Sequence, residues 1–291
     1  MFNKLKTIVY DCIPDKLFLE LKYKHIFHKK LNLKNPQTFN EKIQWLKLYD
    51  RKPEYTKMVD KYEAKKYVAS IIGEEYIIPS YGVWEKFDDI DFDSLPDQFV
   101  LKTTHDSGTI VICKDKRNFD YLAAKKKLTA RLHYNYYKMH REWPYKNVKP
   151  RIIAEKYMED GTKIVPEDYK IYCINGKPKY IVVFHNRFNI NEKLSETVYD
   201  TNWNKQNISL DDHFAISNIV EPKPICLEKL LNFAESLSTL TIQSRIDFYI
   251  INGNIYFGEI TLFTASGFRK MIPEDVDKIL GSELKLPKKN R

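Results

Sequence analysis

Arg245–Phe263 reads RIDFYIINGNIYFGEITLF, two apolar runs joined by Asn-Gly-Asn. How the two runs pair decides what this chain can be. By the two-residue period of a strand, Arg245, Asp247 and Tyr249 share one face of the first run, and Phe257, Glu259 and Thr261 share one face of the second. If Asn252, Gly253 and Asn254 form a three-residue loop, a type I turn closed by a left-handed residue, Asp247 faces Glu259 and Arg245 faces Thr261. Carboxylates that face each other at about 5 Å repel. A hard cation with oxygen ligands relieves that repulsion; without one, a carboxyl pKa rises or the side chains splay apart. The other reading is a two-residue Asn252–Gly253 turn, which in a regular ladder sends the two acids to opposite faces. The expectation carried forward is a shared face.

Working towards the N-terminus, Phe99–Lys114 (FVLKTTHDSGTIVICK) reads as a second hairpin, its strands separated by HDSG. Lys102 alternates with Leu101 and Thr103 and so points away from one apolar face. The turn supplies backbone N–H groups, the Ser107 hydroxyl and a permissive Gly108. A lysine beside such a turn can hold phosphate oxygens without a P-loop, although a strand lysine can also be simply solvated. Further runs RIIAEKYM, DYKIYCI and KYIVVFHNR read as strands, with helices expected over 119–142 and 227–240. The stretch 189–220 is polar and reads as loop. The first 75 residues are helical in pattern. Thr38 stands three residues before Glu41, a capping-box spacing, and VDKYEAKKYVASIIG runs from an Asp60 cap to a Gly73 stop. A helical front followed by strands with few helices predicts an α+β fold rather than a doubly wound sheet.

Composition narrows the chemistry. The 291 residues are 43% hydrophobic, which suits a packed core, and no apolar run approaches the length of a membrane-spanning helix. The opening residues carry Lys4 and Lys6, but Asp11 and Pro14 break their apolar stretch, so they do not read as a secretory signal. Cys12, Cys113, Cys173 and Cys226 are far apart, with no CxxC, and read as free thiols. These features predict a soluble, cytoplasmic chain. The nine glycines form neither GxGxxG nor GxxxxGK[ST], and GxSxG and HExxH are absent. The net charge of +9 is concentrated: residues 114–151 hold 12 basic and 3 acidic groups. That suits a polyanionic glycan or an anionic membrane surface, or it is a solvated helix face; no RNA- or DNA-binding signature accompanies it. Asp88–Asp93 (DDIDFD) offers DxD spacings able to hold a metal with a nucleotide-sugar, or is an acidic turn.

The ordered series FVLK, HDSG, IIAEKYM, EDYKIYCINGK, RIDFYI and GNIYFGEIT resembles the ATP-grasp superfamily. The strings NPQTFNEKIQWLKLYDR, VDKY, IIPSYGVW, LPDQFVLK and YFGEIT resemble its TupA-like, teichuronopeptide-biosynthesis branch, with the likeness running from about Asn35 to the C-terminus. The resemblance implies ATP held between two α+β lobes. It implies a helical N-terminal region over 1–97 and an ATP-grasp domain over 98–291, divided into a first lobe (98–157) and a second (158–291). Lys61 and Lys102 would contact phosphates under a flap containing His105, Ser107 and Gly108. Glu155, Lys156, Tyr157 and Met158 would form the hinge that meets adenine, and Asp168 would meet the ribose. Lys170, Arg187 and Arg245 would serve the γ-phosphate or substrate as catalytic residues. Asp247 and Glu259 would bind Mg2+, with Thr261 where the family usually has an asparagine.

The activity so implied is an ATP- and Mg2+-dependent carboxylate–amine ligase acting through an acyl phosphate. Its partners would be a small-molecule or glycan carboxylate and an amine acceptor. The branch implies an amino acid joined to a uronic-acid-containing capsule or cell-wall polysaccharide or its precursor, with the basic segment meeting an anionic glycan or the inner membrane surface. No nucleic acid is expected. Two rival readings remain: a capsule glycosyltransferase using DDIDFD, and a non-catalytic polyanion binder using 114–151.

Overall fold

The computed structural model describes residues 13–159, 168–185 and 193–288. Four helices lead: α1 (Asp15–Phe27), α2 (Phe39–Tyr49), α3 (Glu54–Val59) and α4 (Glu63–Ile72). Strands β1 (Ser80–Trp84), β2 (Phe99–Thr103) and β3 (Ile110–Cys113) follow, then helices α5 (Tyr121–Leu132) and α6 (Tyr137–His140). Next come β4 (Ile152–Lys156), β5 (Asp168–Ile174), β6 (Lys177–His185), β7 (Ser195–Asp200), β8 (Lys205–Gln206) and β9 (Ala215–Ile216). The chain continues through α7 (Leu227–Ser238), the pair β10 (Gln243–Ile251) and β11 (Asn254–Leu262), and α8 (Asp275–Glu283).

The strands form two sheets, one of four strands in the order β1-β4-β2-β3 and one of seven centred on β11-β10-β5-β6-β7-β8, with β9 beside β7. All pairings are antiparallel except β7 with β9. The α+β expectation therefore holds, and so does the hairpin made by β2 and β3.

Burial explains how the sheets are placed. On the large sheet, Ile171, Cys173, Ile181, Val183, Tyr199, Ile246, Phe248 and Ile260 are buried in one core with Leu230, Ala234 and Leu237 of α7. The same core takes in Phe39, Ile43, Met58, Val59 and Val68 from α2, α3 and α4. The small sheet has its own core, where Phe99, Leu101, Ile152 and Ala154 meet Ala124 and Leu128 of α5.

These cores redraw the domain boundaries read from the sequence. Residues 13–97, the described part of the stretch read as a helical region over 1–97, are not separate: α2 to α4 belong to the large sheet's core, and β1 pairs with β4 inside the small sheet. Three local expectations also change. The helix expected over 119–142 stops at Leu132, where Asn135 Oδ1 accepts from Tyr137 N and redirects the chain. Asp60 precedes α4 by three residues; its carboxylate accepts from Tyr62 N and from Arg151 instead of capping the helix. The polar stretch 189–220 contains β7, whose Glu196, Thr197, Val198 and Tyr199 are all buried.

Thr38 and Glu41 form the capping box on α2, as their spacing implies. Among the described residues, Cys113, Cys173 and Cys226 are free thiols, and no helix is long and apolar enough to cross a membrane. Cys12 and Arg187 lie outside the described residues.

Candidate active site

The β10–β11 hairpin resolves its two sequence readings in an unexpected way. The turn is the two-residue Asn252–Gly253, with φ of 52° and 79°, and Ile251 pairs with Asn254. Yet Asp247 still pairs with Glu259 and Arg245 with Thr261, because the register slips by one residue between Asp247 and Phe248. The extra residue is Gly258, opposite the Asp247 carbonyl; a Cβ there would come within 3.0 Å of that oxygen. The expected three-residue loop is thus replaced by an Asn-Gly turn plus a bulge, and the bulge returns the two acids to one face.

The facing of the two carboxylates does not make Asp247 more basic. Arg245 lies between them, donating to Asp247 Oδ1 at 2.6 Å and Oδ2 at 2.7 Å and to Glu259 Oε1 at 2.9 Å. Lys170 on the neighbouring strand β5 donates to Asp247 and pairs with Asp168 at 2.6 Å. Burial alone would raise the Asp247 pKa, but Arg245 first and then Lys170 hold it below the ordinary value. The expected rise in pKa is therefore corrected: a guanidinium occupies the position between the acids. Thr261 donates its hydroxyl hydrogen to Glu259 Oε1 at 3.3 Å, and the Glu259 side chain keeps 39% exposure. Two carboxylates and a hydroxyl are the hard oxygen donors that suit Mg2+.

Across the cleft lies the small sheet. Lys102 of β2 pairs with Glu155 of β4 at 2.6 Å, and Lys65 of α4 takes the other carboxylate oxygen at 2.7 Å. Burial would raise the Glu155 pKa; Lys102 and then Lys65 bring it down to about 2. A cavity of about 90 Å³ is lined by Ile78, Val100, Ile110, Ile112, Lys102, Glu155, Lys156, Tyr157, Met158 and Tyr249. The hinge residues expected at 155–158 therefore line one pocket with Lys102, and Tyr249 of the large sheet closes it.

The HDSG turn joins these parts. Asp106 is fully buried and accepts from Thr103, from Thr109 at 2.6 Å and from Arg131 at 2.8 Å. That leaves Ser107 and Gly108 exposed at the tip, with Gly108 at φ 84°. The ring of His105 is turned inwards, its Nε2 against the Arg131 carbonyl at 3.0 Å, so it braces the turn from behind. The backbone N–H of Lys61 donates to the Thr104 carbonyl at 3.0 Å, and its ammonium donates to the Asp106 carbonyl. Burial lowers the Lys61 pKa, with Glu259 and Asp106 opposing the shift. Lys61 thus stands between the flap and Glu259 of β11.

Sequence reasoning missed Lys65 and Tyr249. Lys65 is one of several lysines on a helical pattern and carries no motif. Tyr249 was legible as sharing the face of Asp247, but its role as a wall depends on how the sheets meet. Two rival motifs also find their places. In DDIDFD, Asp88, Asp89, Asp91 and Asp93 are exposed while Phe87 and Ile90 are buried in the small core, with Phe92 packed against it. In the basic segment, Arg117, Lys125, Arg131, Arg141, Lys149 and Arg151 each pair with a carboxylate of the chain itself.

Two sheets that meet at a pocket lined by the hinge residues, with Lys102 from one and Tyr249 of the acid-bearing hairpin from the other, define an ATP-grasp architecture. Within that class the chain belongs to the TupA-like ATP-grasp family, whose model matches residues 41–285. No curated protein matches the chain. Among solved structures it is similar to D-alanine–D-alanine ligase from Bacillus anthracis, at 18% identity over 76% of this chain and 57% of that one, TM-score 0.43. It is also similar to the same enzyme from Helicobacter pylori, at 12% identity over 80% and 60%, TM-score 0.45. The ATP-grasp ligase PsnB complexed with a minimal precursor, Mg and ADP is similar at 9% identity over 84% and 66%, TM-score 0.42. The chain spans less than two thirds of the length of each of these relatives.

Proposed function

We propose that the chain is an ATP- and Mg2+-dependent carboxylate–amine ligase that works through an acyl phosphate and attaches an amino acid to a uronic-acid-containing capsule or cell-wall polysaccharide or its precursor. The observation that supports this most directly is the Asp247–Glu259 pair on one face of the hairpin, the face from which Tyr249 reaches the pocket that Lys102 and residues 155–158 line. In this reading the apolar wall of Ile78, Val100, Ile112 and Tyr249 takes the base. Lys102, Lys61 and the exposed N–H groups of Ser107 and Gly108 hold the phosphates, and Asp168 takes the ribose.

The γ-phosphoryl group passes from ATP to an oxygen of the substrate carboxylate, leaving ADP. The amine then attacks the carbonyl carbon, loses a proton and expels phosphate. Asp247, Glu259 and Thr261 would hold Mg2+, which supplies charge neutralisation for the triphosphate. Arg245 and Lys170 place positive charge where the migrating phosphoryl oxygens pass, and they are fixed beforehand by their carboxylate partners. By the family resemblance, Arg187 would carry the same role. The basic segment would meet the anionic glycan or a membrane surface through exposed lysines such as Lys126.

Titration calorimetry with ATP–Mg2+ and with UDP-sugars tests this reading. Binding of ATP–Mg2+ is expected, together with release of ADP in a screen pairing uronic acids with amino acids. Binding of a UDP-sugar in place of ATP would overturn it in favour of glycosyl transfer.

A further inference from the structure

Helix α2 carries a polar stripe on its inner side. Asn40, Gln44 and Lys47 lie at spacings of four and three and so on one helix face, and their exposures are 2%, 0% and 0%. Gln44 and Lys47 reach the turn that follows β11, and Asn40 reaches the segment just beyond it. Gln44 Nε2 donates to the carbonyls of Ser266 at 3.0 Å and Gly267 at 2.7 Å. Lys47 Nζ donates to the Ser266 carbonyl at 2.9 Å and the His140 carbonyl at 2.9 Å. Asn40 Nδ2 donates to the Arg269 carbonyl at 2.9 Å. Glu142, also buried, accepts from the Ser266 hydroxyl.

The stripe is destabilising in itself. Gln44 Oε1 is buried without a hydrogen-bond partner, so its desolvation is uncompensated. Burying the Lys47 ammonium and the Glu142 carboxyl in the same interior adds a further desolvation cost. The turn it holds is itself strained: Phe263, Ala265 and Ser266 all have left-handed φ, at 56°, 50° and 55°. Strain of this kind persists only where the surroundings impose it.

The position of the turn gives the stripe a purpose. Along β10, Tyr249 closes the base pocket, Asp247 carries the acid pair, and Arg245 lies one further step of about 7 Å along the same face. Beyond Arg245 comes Gln243, whose side chain bonds Thr264, with Thr264 N donating to its Oε1 at 3.0 Å. The turn Thr264–Gly267 thus stands past the place assigned to the terminal phosphate. In a trans peptide the C=O and the following N–H point in opposite directions. Drawing the Ser266 carbonyl towards α2 with two donors therefore turns the Gly267 N–H away from α2.

We propose that Gln44 and Lys47 are positioning residues of the site which, with Asn40 holding the segment just beyond, fix the Thr264–Gly267 turn so that the Gly267 N–H faces the carboxylate to be activated. This rests on the ligase reading for what the turn meets. It adds that the N-terminal helix, and not only the two sheets, sets the geometry of the acceptor end.

Hydrogen–deuterium exchange over residues 263–270 tests it, with ADP–Mg2+ present throughout and D-galacturonate as the carboxylate probe. In the wild-type chain galacturonate is expected to slow exchange of the turn several-fold. In Gln44→Leu and in Lys47→Met/Glu142→Gln, the second variant avoiding an unpaired buried acid, that protection is expected to be lost while ATP–Mg2+ affinity stays within two-fold. Wild-type protection that persists unchanged in folded variants overturns the proposal, as does a wild-type turn that galacturonate leaves unprotected. Failure of the wild-type chain to bind ATP–Mg2+ would instead overturn the ligase reading.

Discussion

Lys102 shows how a side chain read from alternation alone acquires a second duty. On the strand it points away from the apolar face, which implies that its removal leaves packing intact. In the structure it is one of two cations on the buried Glu155 carboxylate. Lys102→Ala is therefore expected to weaken nucleotide binding at least tenfold and also to destabilise the fold by about 2–3 kcal/mol, since a buried carboxylate loses half of its compensation. Lys102→Ala/Glu155→Gln should recover most of the melting temperature without recovering binding. If the single variant melts like the wild type, Glu155 does not depend on Lys102. Glu196 on β7 makes the opposite case. It is wholly buried, and burial pushes its pKa up to about 7, with Ser209 and the Leu210 N–H opposing the rise. Its folded pKa lies above the unfolded value of 4.5. The native state thus favours the protonated form, and stability attributable to Glu196 is full below pH 4.5 and lost as pH rises towards 7. Glu196→Gln should flatten that decline, raising the melting temperature by several degrees at about pH 8 and leaving it little changed at about pH 4.5. Equal shifts at both pH values would show that the carboxyl does not titrate with folding.

At the scale of elements, the β10–β11 hairpin depends on one bulge. Gly258→Ala brings a Cβ within 3.0 Å of the Asp247 carbonyl, so the strand pair must move apart or change register. A loss of about 1–3 kcal/mol is expected, with Mg2+-dependent ATP binding falling more steeply than stability. Calorimetry alongside a thermal melt separates the two; unchanged ATP–Mg2+ affinity would mean that the bulge does not serve the acid pair. The same hairpin marks what was legible beforehand. The two-residue period placed Arg245, Asp247, Glu259 and Thr261 on shared faces, and that much is local. The turn and the bulge each shift register by one, and their effects cancel, so a correct pairing followed from an incorrect loop. Strand β7 was hidden because Glu196 and its polar neighbours mimic a loop, and only the covering segment at Ser209 and Leu210 makes a buried acid tolerable there. Lys65 was not legible because its partner, Glu155, is far away in sequence.

For the whole molecule, the sequence separated a helical front from a two-lobed domain, whereas burial joins the front to the large sheet. A chain starting at residue 98 would lose α1 to α4 and β1, removing part of the core that Ile171, Phe248 and Ile260 share and opening the β4 edge. The path of the chain has a mechanical consequence as well. It passes between the two cores four times: from Ile77 into β1, from α5 to the segment of Trp143 and Tyr145, from Val148 back into β4, and from β4 into β5. Each core is thus built from several separate stretches of the chain, so the lobes are stitched together repeatedly and wide swinging is denied to them. Entry is left to the side where β3 forms the free edge of its sheet and Ile110 and Ile112 stand exposed. A nucleotide would slip in laterally beneath the HDSG tip, and only that tip need lift. Small-angle scattering should then give superimposable curves with and without ADP–Mg2+, while a spin label at Ser107 reports a change in mobility; a marked compaction on binding would show instead that the lobes themselves close.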